Sequence, residues 1–315
     1  MTTLPLPALD GRTPLGFLTA LGVLRLISEY TDHQPRLAWS RQTATAELHD
    51  AHTSVDDLVT DLTAVVAAIP ADGVLPGVDA QFPPPGEAPD RIRLPRDMFT
   101  PYAGLVANRD GEAGERWLSS LVTDLSVDDK LRTDITLFAA PSGKQSMRTM
   151  LEKPLEIVRK SPGVLREALV AWRRYPGVTG EYLDHRVIHD AVDAANGKSA
   201  ERGVPGATWL ALMSYPLLRT IAVNGEPVTT CWQDLGRRGG RRMIYPLWSQ
   251  PLDTAGVQAL LSHPVLHRAE PGSPPKTAEA LSIFWVQHAV RRKLPGRTFA
   301  GVLTPTSRPI ARQAR

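Results

Sequence analysis

The chain has 315 residues, of which 42% are hydrophobic and 22% are charged. This composition is typical of globular proteins and argues against wholesale disorder, a collagen-like repeat or a disulfide mini-protein. The longest apolar stretch, residues 15–27, is interrupted by glycine, threonine and arginine, so we expect neither a membrane span nor a signal peptide. Cys231 is the single cysteine, which excludes an internal disulfide and fits a reducing compartment. We therefore expect a cytoplasmic protein with no membrane partner.

The charged side chains are divided unevenly, although the formal net charge is only +3. Residues 1–135 carry 11 basic and 20 acidic side chains, whereas residues 136–315 carry 25 and 13. This asymmetry predicts an acidic N-terminal domain or half over 1–135 and a basic, mainly helical, nucleic-acid-facing one over 136–315, unless both form one domain. Arginine supplies 29 of the 36 positive charges. That excess suits bidentate contacts to phosphate, with GC-rich codon usage as the alternative explanation.

Hydrophobic periodicity and capping residues predict the elements in chain order. A core helix begins at Pro14 behind a Thr13 cap, and its glycines 16 and 22 favour close approach of another backbone. An amphipathic helix opens at Ser54, and the proline-rich residues 70–101 predict a surface loop or linker. Further helices are predicted over 112–125, 164–175, 184–195, 208–221, 254–261 and 277–293, and strands over 37–39, 135–138, 228–232, 243–248 and 298–304. The fold class is therefore α+β, helix-dominant, with short β-sheet elements and several packed helices.

One helical segment carries residues typical of enzyme chemistry. His185 and His189 are four residues apart and share a helix face with Asp184 and Asp190 nearby, which together could hold a metal. Arg186, however, stands where the zinc-protease motif has its general base, and a cation there opposes metal binding. The sequence also lacks a Walker A motif, a Rossmann glycine fingerprint and a GxSxG elbow. We therefore expect a protein that is not an enzyme and has no cofactor or metal, with a metal-dependent nuclease or hydrolase on this helix as the alternative.

Basic residues form three groups in the C-terminal half. The densest, GRRGGRR at residues 236–242, lies between two β-prone runs and predicts a positively charged hairpin loop that could follow a phosphate backbone. A second group ends the last predicted helix, where complementing the helix dipole is the alternative role. In the third group, Gln145 could contact a base edge while its neighbours hold phosphates. The predicted nucleic-acid-binding residues are Lys144, Gln145, Arg148, Arg173, Arg174, Arg237, Arg238, Arg241, Arg242, Arg291, Arg292 and Lys293.

Three apolar segments carry a family resemblance. Residues 9–26, LDGRTPLGFLTALGVLRL, residues 204–212, VPGATWLAL, and residues 245–248, YPLW, resemble the signature proteins of type I-G (I-U) CRISPR systems. The resemblance implies a non-catalytic, large-subunit-like component of a Cascade surveillance complex that binds DNA near the protospacer-adjacent motif and helps duplex opening in antiviral defence. The implied partners are double-stranded target DNA, guide RNA, other CRISPR complex subunits and a recruited helicase-nuclease. A protein-only assembly subunit, whose basic face contacts acidic neighbours, remains a third interpretation.

Overall fold

A computed structural model describes residues 2–85, 90–140, 145–189, 201–236, 240–267, 269–272, 274, 276–293 and 301–306. The strands are β1 Thr3–Asp10, β2 Arg36–Trp39, β3 Thr45–His49, β4 Val122–Val127, β5 Thr133–Ile135, β6 Tyr175–Pro176, β7 Arg202–Gly203, β8 Thr220–Val223, β9 Glu226–Thr229, β10 Trp232–Asp234, β11 Arg241–Trp248, β12 Ile283–Arg292 and β13 Val302–Pro305. The helices are α1 Pro14–Tyr30, α2 Val55–Ala68, α3 Arg96–Leu121, α4 Met147–Lys160, α5 Gly163–Val170, α6 Arg186–His189, α7 Pro205–Met213, α8 Thr254–Leu261 and α9 Lys276–Glu279. The fold is therefore mixed α+β with helices as the larger part, as the sequence predicted. None of the helices in these ranges is long and apolar enough to cross a membrane.

Helix α1 lies at the centre of the fold, and its start follows the predicted capping pattern. The Thr13 side chain accepts a hydrogen bond from the Gly16 backbone N–H at 3.2 Å, and every residue from 14 to 27 is buried. Helix α7 crosses α1 so closely that a Cβ added to Gly22 would lie 1.7 Å from the Leu210 carbonyl oxygen. The predicted close approach at Gly22 is thus confirmed. Because α1 belongs to the acidic half and α7 to the basic half, the two halves share one hydrophobic core.

Two antiparallel sheets pack around α1. The smaller has the order β1-β3-β2, and the larger has the order β10-β11-β12-β13. Phe17 on α1 lies 4.2 Å from the Tyr245 ring and 5.8 Å from the Trp39 ring, measured between centroids, so both sheets contact the same helix. The Trp248 indole N–H also donates to the Leu37 carbonyl at 2.8 Å. These contacts fix the larger sheet against the core.

The clearest error of the sequence prediction is the helix over residues 277–293. Only α9 is helical there, and residues 283–292 form β12, which lies between β11 and β13. Its aromatic and β-branched residues, among them Phe284, Trp285 and Val286, favour a strand that has neighbours on both sides. The basic residues at its end therefore alternate between opposite faces of a strand, instead of sharing a helix end.

Other predicted boundaries shift for local reasons. The helix predicted over 112–125 ends at Leu121, and Leu125 lies on β4 instead, where it is 57% exposed. Helix α3 also extends back into the proline-rich segment, with a non-helical backbone at Gly111. The helices predicted over 164–175 and 208–221 end early, at Val170 and Met213, before short strands, and the strand predicted over 135–138 ends at Ile135. Of the helix predicted over 184–195, residues 190–195 lie outside the described residues.

Candidate nucleic-acid interface

One end of the larger sheet gathers basic residues from two strands. The registers pair Asp234 with Arg241 and Arg292 with Val302, so β10 and β12 end where β11 and β13 begin. Because β11 and β12 are antiparallel, with Met243 opposite Ala289, residues 241–242 lie beside the end of β12. The strand pairing thus brings together two basic groups that are 49 residues apart in sequence, counted from 242 to 291. We call the four residues Arg241, Arg242, Arg292 and Lys293 the basic sheet end.

The cations of the basic sheet end differ in accessibility. Arg292 and Lys293 are exposed, and among the described residues neither has an acidic group within ion-pair distance. Arg241 is 39% exposed and forms an ion pair with Glu226 of β9. Arg242 is half-buried beside them. A surface ion pair such as Arg241–Glu226 contributes little stability, so a phosphate can replace the carboxylate at small cost.

The hairpin predicted around residues 236–242 is present at its two flanks. Gly236 and Gly240 have φ values of 76° and 62°, a region that favours glycine, and the Gly240 N–H donates to the Gly236 carbonyl at 2.8 Å. The Asp234 carboxylate accepts from the Gly236 N–H at 2.7 Å, which fixes the turn further. The predicted contacts Arg237 and Arg238 fall in the sequence between these flanks and lie outside the described residues. Lys144, from another segment, also lies outside the described residues.

Arg148 is turned inward, in contrast to its predicted role. Its side chain donates to the carbonyl of Ala80 at 2.8 Å, to that of Pro83 at 3.0 Å and to that of Asp72. The residue is 8% exposed and holds the proline-rich segment against α4. Because these carbonyls take up its N–H groups, we leave Arg148 out of the candidate interface.

The guanidinium groups of Arg174 and Arg291 also bind partners within the fold. Arg174 lies 2.6 Å from the Asp184 carboxylate and donates to the Arg202 carbonyl at 3.0 Å. Arg291 donates to the carbonyls of Tyr182 at 3.0 Å, Gly301 at 3.1 Å and Phe138. Burial lowers the pKa of Arg291 to about 10, against the opposing effect of nearby Glu181 and Tyr215. Its neighbour Arg292 points to solvent, as the alternation of a strand requires.

Gln145 donates to a buried carboxylate that the sequence analysis did not single out. Its side-chain amide lies 2.6 Å from Glu181 Oε2, and the Thr179 hydroxyl donates to Oε1 at 3.2 Å. Glu181 is 6% exposed, and burial raises its pKa to about 7, although both hydrogen bonds lower it. The residue has φ 47° and is followed by Tyr182 with φ 55°, so two successive non-glycine residues are left-handed. No motif surrounds Glu181, so only the three-dimensional structure reveals this strained, buried position.

Three of the predicted contacts therefore do converge, but not on a surface. Gln145, Arg174 and Arg291 all contact the buried segment 181–184. Arg173 is the remaining predicted residue: its side chain is 72% exposed, with its guanidinium carbon 5.3 Å from the Tyr175 ring centroid. It lies in the connection before β6, outside the larger sheet. The candidate interface thus comprises the basic sheet end, with Arg173 as a separate exposed cation.

The histidine segment is not arranged as a metal site in the part that the structure describes. Asp184 is 2% exposed at its side chain and is paired with Arg174, while the His185 Nδ1 atom lies 3.6 Å from its other oxygen. A metal would have to displace the guanidinium from this carboxylate. The His189 side chain and Asp190 lie outside the described residues.

Comparison with known proteins leaves the function to be argued from these residues. No protein-family model matches the chain, and no curated protein matches it.

Proposed function

We propose that this protein is a non-catalytic subunit of an RNA-guided CRISPR type I surveillance complex and that it binds target DNA through the basic sheet end. The observation that carries the DNA contact is the meeting of Arg241, Arg242, Arg292 and Lys293 at one end of one sheet. The role in the complex rests on the resemblance of residues 9–26, 204–212 and 245–248 to type I-G signature proteins. In this proposal the protein acts near the protospacer-adjacent motif, helps duplex opening in antiviral defence, and works in the cytoplasm.

The physical demands of that role are modest and match what the basic sheet end offers. In RNA-guided complexes, base pairing with the guide supplies most of the sequence discrimination, so the protein needs a positive surface and a few groove contacts. Arginines suit this surface because a planar guanidinium can hold two phosphate oxygens. Arg237 and Arg238 belong to the connection between β10 and β11, and we include them in the interface on sequence grounds. Cleavage is assigned to a recruited helicase-nuclease, so the subunit itself requires no catalytic group.

The salt dependence of DNA binding tests the interface directly. We compare the wild type with a variant in which Arg241, Arg242, Arg292 and Lys293 are alanine, using a labelled DNA duplex and fluorescence anisotropy across a salt series. Each phosphate contact that is lost lowers the slope of log affinity against log salt by about 0.9, so we expect a decrease of about 3 to 4. The matched control replaces Arg91, Arg96, Arg166 and Lys160, four exposed cations outside the larger sheet, and removes the same charge.

The control separates a local interface from a general charge effect. We expect the control variant to keep a slope within about one of the wild type, because non-contacting charges release few counterions. Equal losses in both variants, or an unchanged slope in the first, would exclude the basic sheet end as the DNA contact. A wild type without affinity for DNA that still retains protein partners after nuclease treatment would instead identify an assembly subunit.

A further inference from the structure

Two histidines and an aspartate from three separate segments meet in the acidic half of the chain. His33 follows α1, His52 lies between β3 and α2, and Asp61 lies in the second turn of α2. Both imidazole Nε2 atoms face the same oxygen, Asp61 Oδ2, at 2.8 Å from His52 and 3.5 Å from His33. One potential ligand atom from each of the three residues lies within 4.8 Å of the other two. The spacing 33, 52 and 61 matches no sequence motif, so the fold alone assembles this cluster.

The cluster is buried on one side and open on the other. The His52 side chain is 3% exposed, whereas those of Asp61 and His33 are 32% and 42% exposed. Asp61 and His33 line a cleft of about 550 Å³, together with Asp32 and Tyr30. The Asp61 carboxylate is the only hydrogen-bond partner of the His52 imidazole among the described residues. An ion at this position would therefore have protein ligands on one side and solvent from the cleft on the other.

We propose that His33, His52 and Asp61 bind one divalent first-row transition-metal ion, best matched by Zn²⁺, with a remaining coordination position open to the cleft. Imidazole nitrogen and carboxylate oxygen are the zinc ligands that proteins use besides cysteine. Sites with three protein ligands and a solvent position are typical of exchangeable or reactive zinc, whereas closed four-ligand sites are structural. The proposal concerns a site distinct from the basic sheet end and does not depend on DNA binding.

Both distances to Asp61 Oδ2 fit an ion after one small adjustment, and the two imidazoles offer nitrogen atoms within 4.8 Å of each other. Zinc bonds of about 2.0–2.2 Å place neighbouring ligand atoms about 3.3–3.6 Å apart in a tetrahedron. The separation of 3.5 Å between His33 Nε2 and Asp61 Oδ2 already has this value. The 2.8 Å between His52 Nε2 and Asp61 Oδ2 is a hydrogen-bond length, so the ion would replace the shared proton and widen this gap by about 0.5 Å. The excess of acidic residues in this half also favours a cation.

Metal titration of the full-length protein tests the site. Tag-free protein is treated with a chelator and then titrated with ZnCl₂ by calorimetry, and with Co²⁺ by visible absorption, which reports the ligand type and coordination number. We expect one ion per chain and weaker binding at lower pH, since protons compete for the imidazoles. His33→Ala and Asp61→Asn change the more exposed ligands and should each weaken binding at least tenfold, because each removes one of three ligands.

Two controls distinguish this site from adventitious binding. His267→Ala removes an exposed imidazole elsewhere, and Asp32→Asn removes a carboxylate from the same cleft but outside the cluster. Both should bind one ion with an affinity within about threefold of the wild type. Absence of stoichiometric binding would overturn the proposal and leave a His–Asp–His hydrogen-bonded cluster. Equal weakening in the Asp32 variant would show attraction by the charge of the cleft, and an affinity unchanged by both ligand variants would place the ion elsewhere, so either result would also overturn it.

Discussion

Arg291 and Arg292 are adjacent in sequence and opposite in environment. Arg291 is held by three backbone carbonyls, whereas Arg292 is exposed at the basic sheet end. We expect Arg291→Ala to lower the free energy of unfolding by about 3 kcal/mol, because it leaves the carbonyls of Tyr182, Gly301 and Phe138 without this donor. Urea denaturation of the purified variant measures this loss.

Arg292→Ala is the matched control for that substitution. A surface change of this kind should alter the free energy of unfolding by no more than about 0.5 kcal/mol. In DNA binding we expect the reverse order, with Arg292→Ala lowering the salt slope by about 0.9 and a folded Arg291→Ala leaving it unchanged. Equal destabilisation by the two variants would contradict the inward role of Arg291.

Glu181 gives the stability of the protein a specific pH dependence. Its pKa rises from an ordinary 4.5 to about 7 in the folded chain, chiefly because burial disfavours the charged carboxylate. A folded-state pKa above the unfolded value means that the stabilising contribution is complete below about pH 4.5 and is lost as the pH rises through about 7. In Glu181→Gln this loss should be absent, so the variant should gain on the order of 3 kcal/mol relative to wild type over that interval.

Urea denaturation at a series of pH values measures that gain. Glu156→Gln, which removes an exposed carboxyl group on α4, is the control and should follow the wild-type profile. Parallel profiles for wild type and Glu181→Gln would show that the buried carboxyl does not titrate in this range. The comparison between variants is needed because histidines titrate in the same interval.

At the scale of elements, the contact between α1 and α7 depends on one glycine. A Cβ at position 22 would overlap the Leu210 carbonyl oxygen at 1.7 Å, so the helices would have to separate. We expect Gly22→Ala to reduce the free energy of unfolding by about 3 kcal/mol or more. The clashing group is a backbone carbonyl, which cannot rotate away as a flexible side chain could. Gly163→Ala at the start of α5 has no atom within 4 Å of the added carbon and should change it by no more than about 0.5 kcal/mol. Thermal or urea denaturation that ranks the two variants equally would contradict this account of the packing.

Elements that are specified locally were predictable from the sequence. Helix α1 carries its cap at Thr13, a proline at its first position and an apolar run, and these signals agree with one another. Helix α2 has the same clarity, with the Ser54 hydroxyl accepting the Asp57 N–H at 3.1 Å. Strand β12 lacks such clear local signals. Helix-forming residues at 276–280 precede it, and its strand state depends on pairing with β11 and β13.

The candidate sites likewise divide into features that are specified locally and features that depend on tertiary contacts. The arginine hairpin was visible in the sequence because its glycines and flanking strands are contiguous. Which arginines face the interior was not visible, because carbonyl partners such as Pro83 for Arg148 and Phe138 for Arg291 lie 65 and 153 residues away. The cluster of His33, His52 and Asp61 likewise comes from three segments whose meeting depends on the packing of α1, α2 and the β1-β3-β2 sheet.

For the whole molecule, the acidic and basic halves differ in the charge of their surfaces but share one hydrophobic core. Apolar residues from Leu4 to Leu303 form a single buried cluster, so the acidic and basic halves fold against each other. An acidic surface on one part and a basic sheet end on the other suit a protein that meets different partners on different sides. Protein neighbours with basic surfaces would occupy the former in our proposal, and nucleic acid the latter.

Purification of the tagged protein from cells that express its native operon tests the proposal at this scale. We expect a small RNA of uniform length and several further protein chains to accompany it, as determined by RNA extraction and mass spectrometry, because a surveillance complex forms around its guide. The variant lacking the four cations of the basic sheet end should still bring down these partners while losing affinity for target DNA. That separation would place the cations at the DNA contact and not at the assembly contacts. A protein that purifies alone and without RNA would exclude the surveillance complex, and would leave the His33, His52 and Asp61 site as the first place to look for another function.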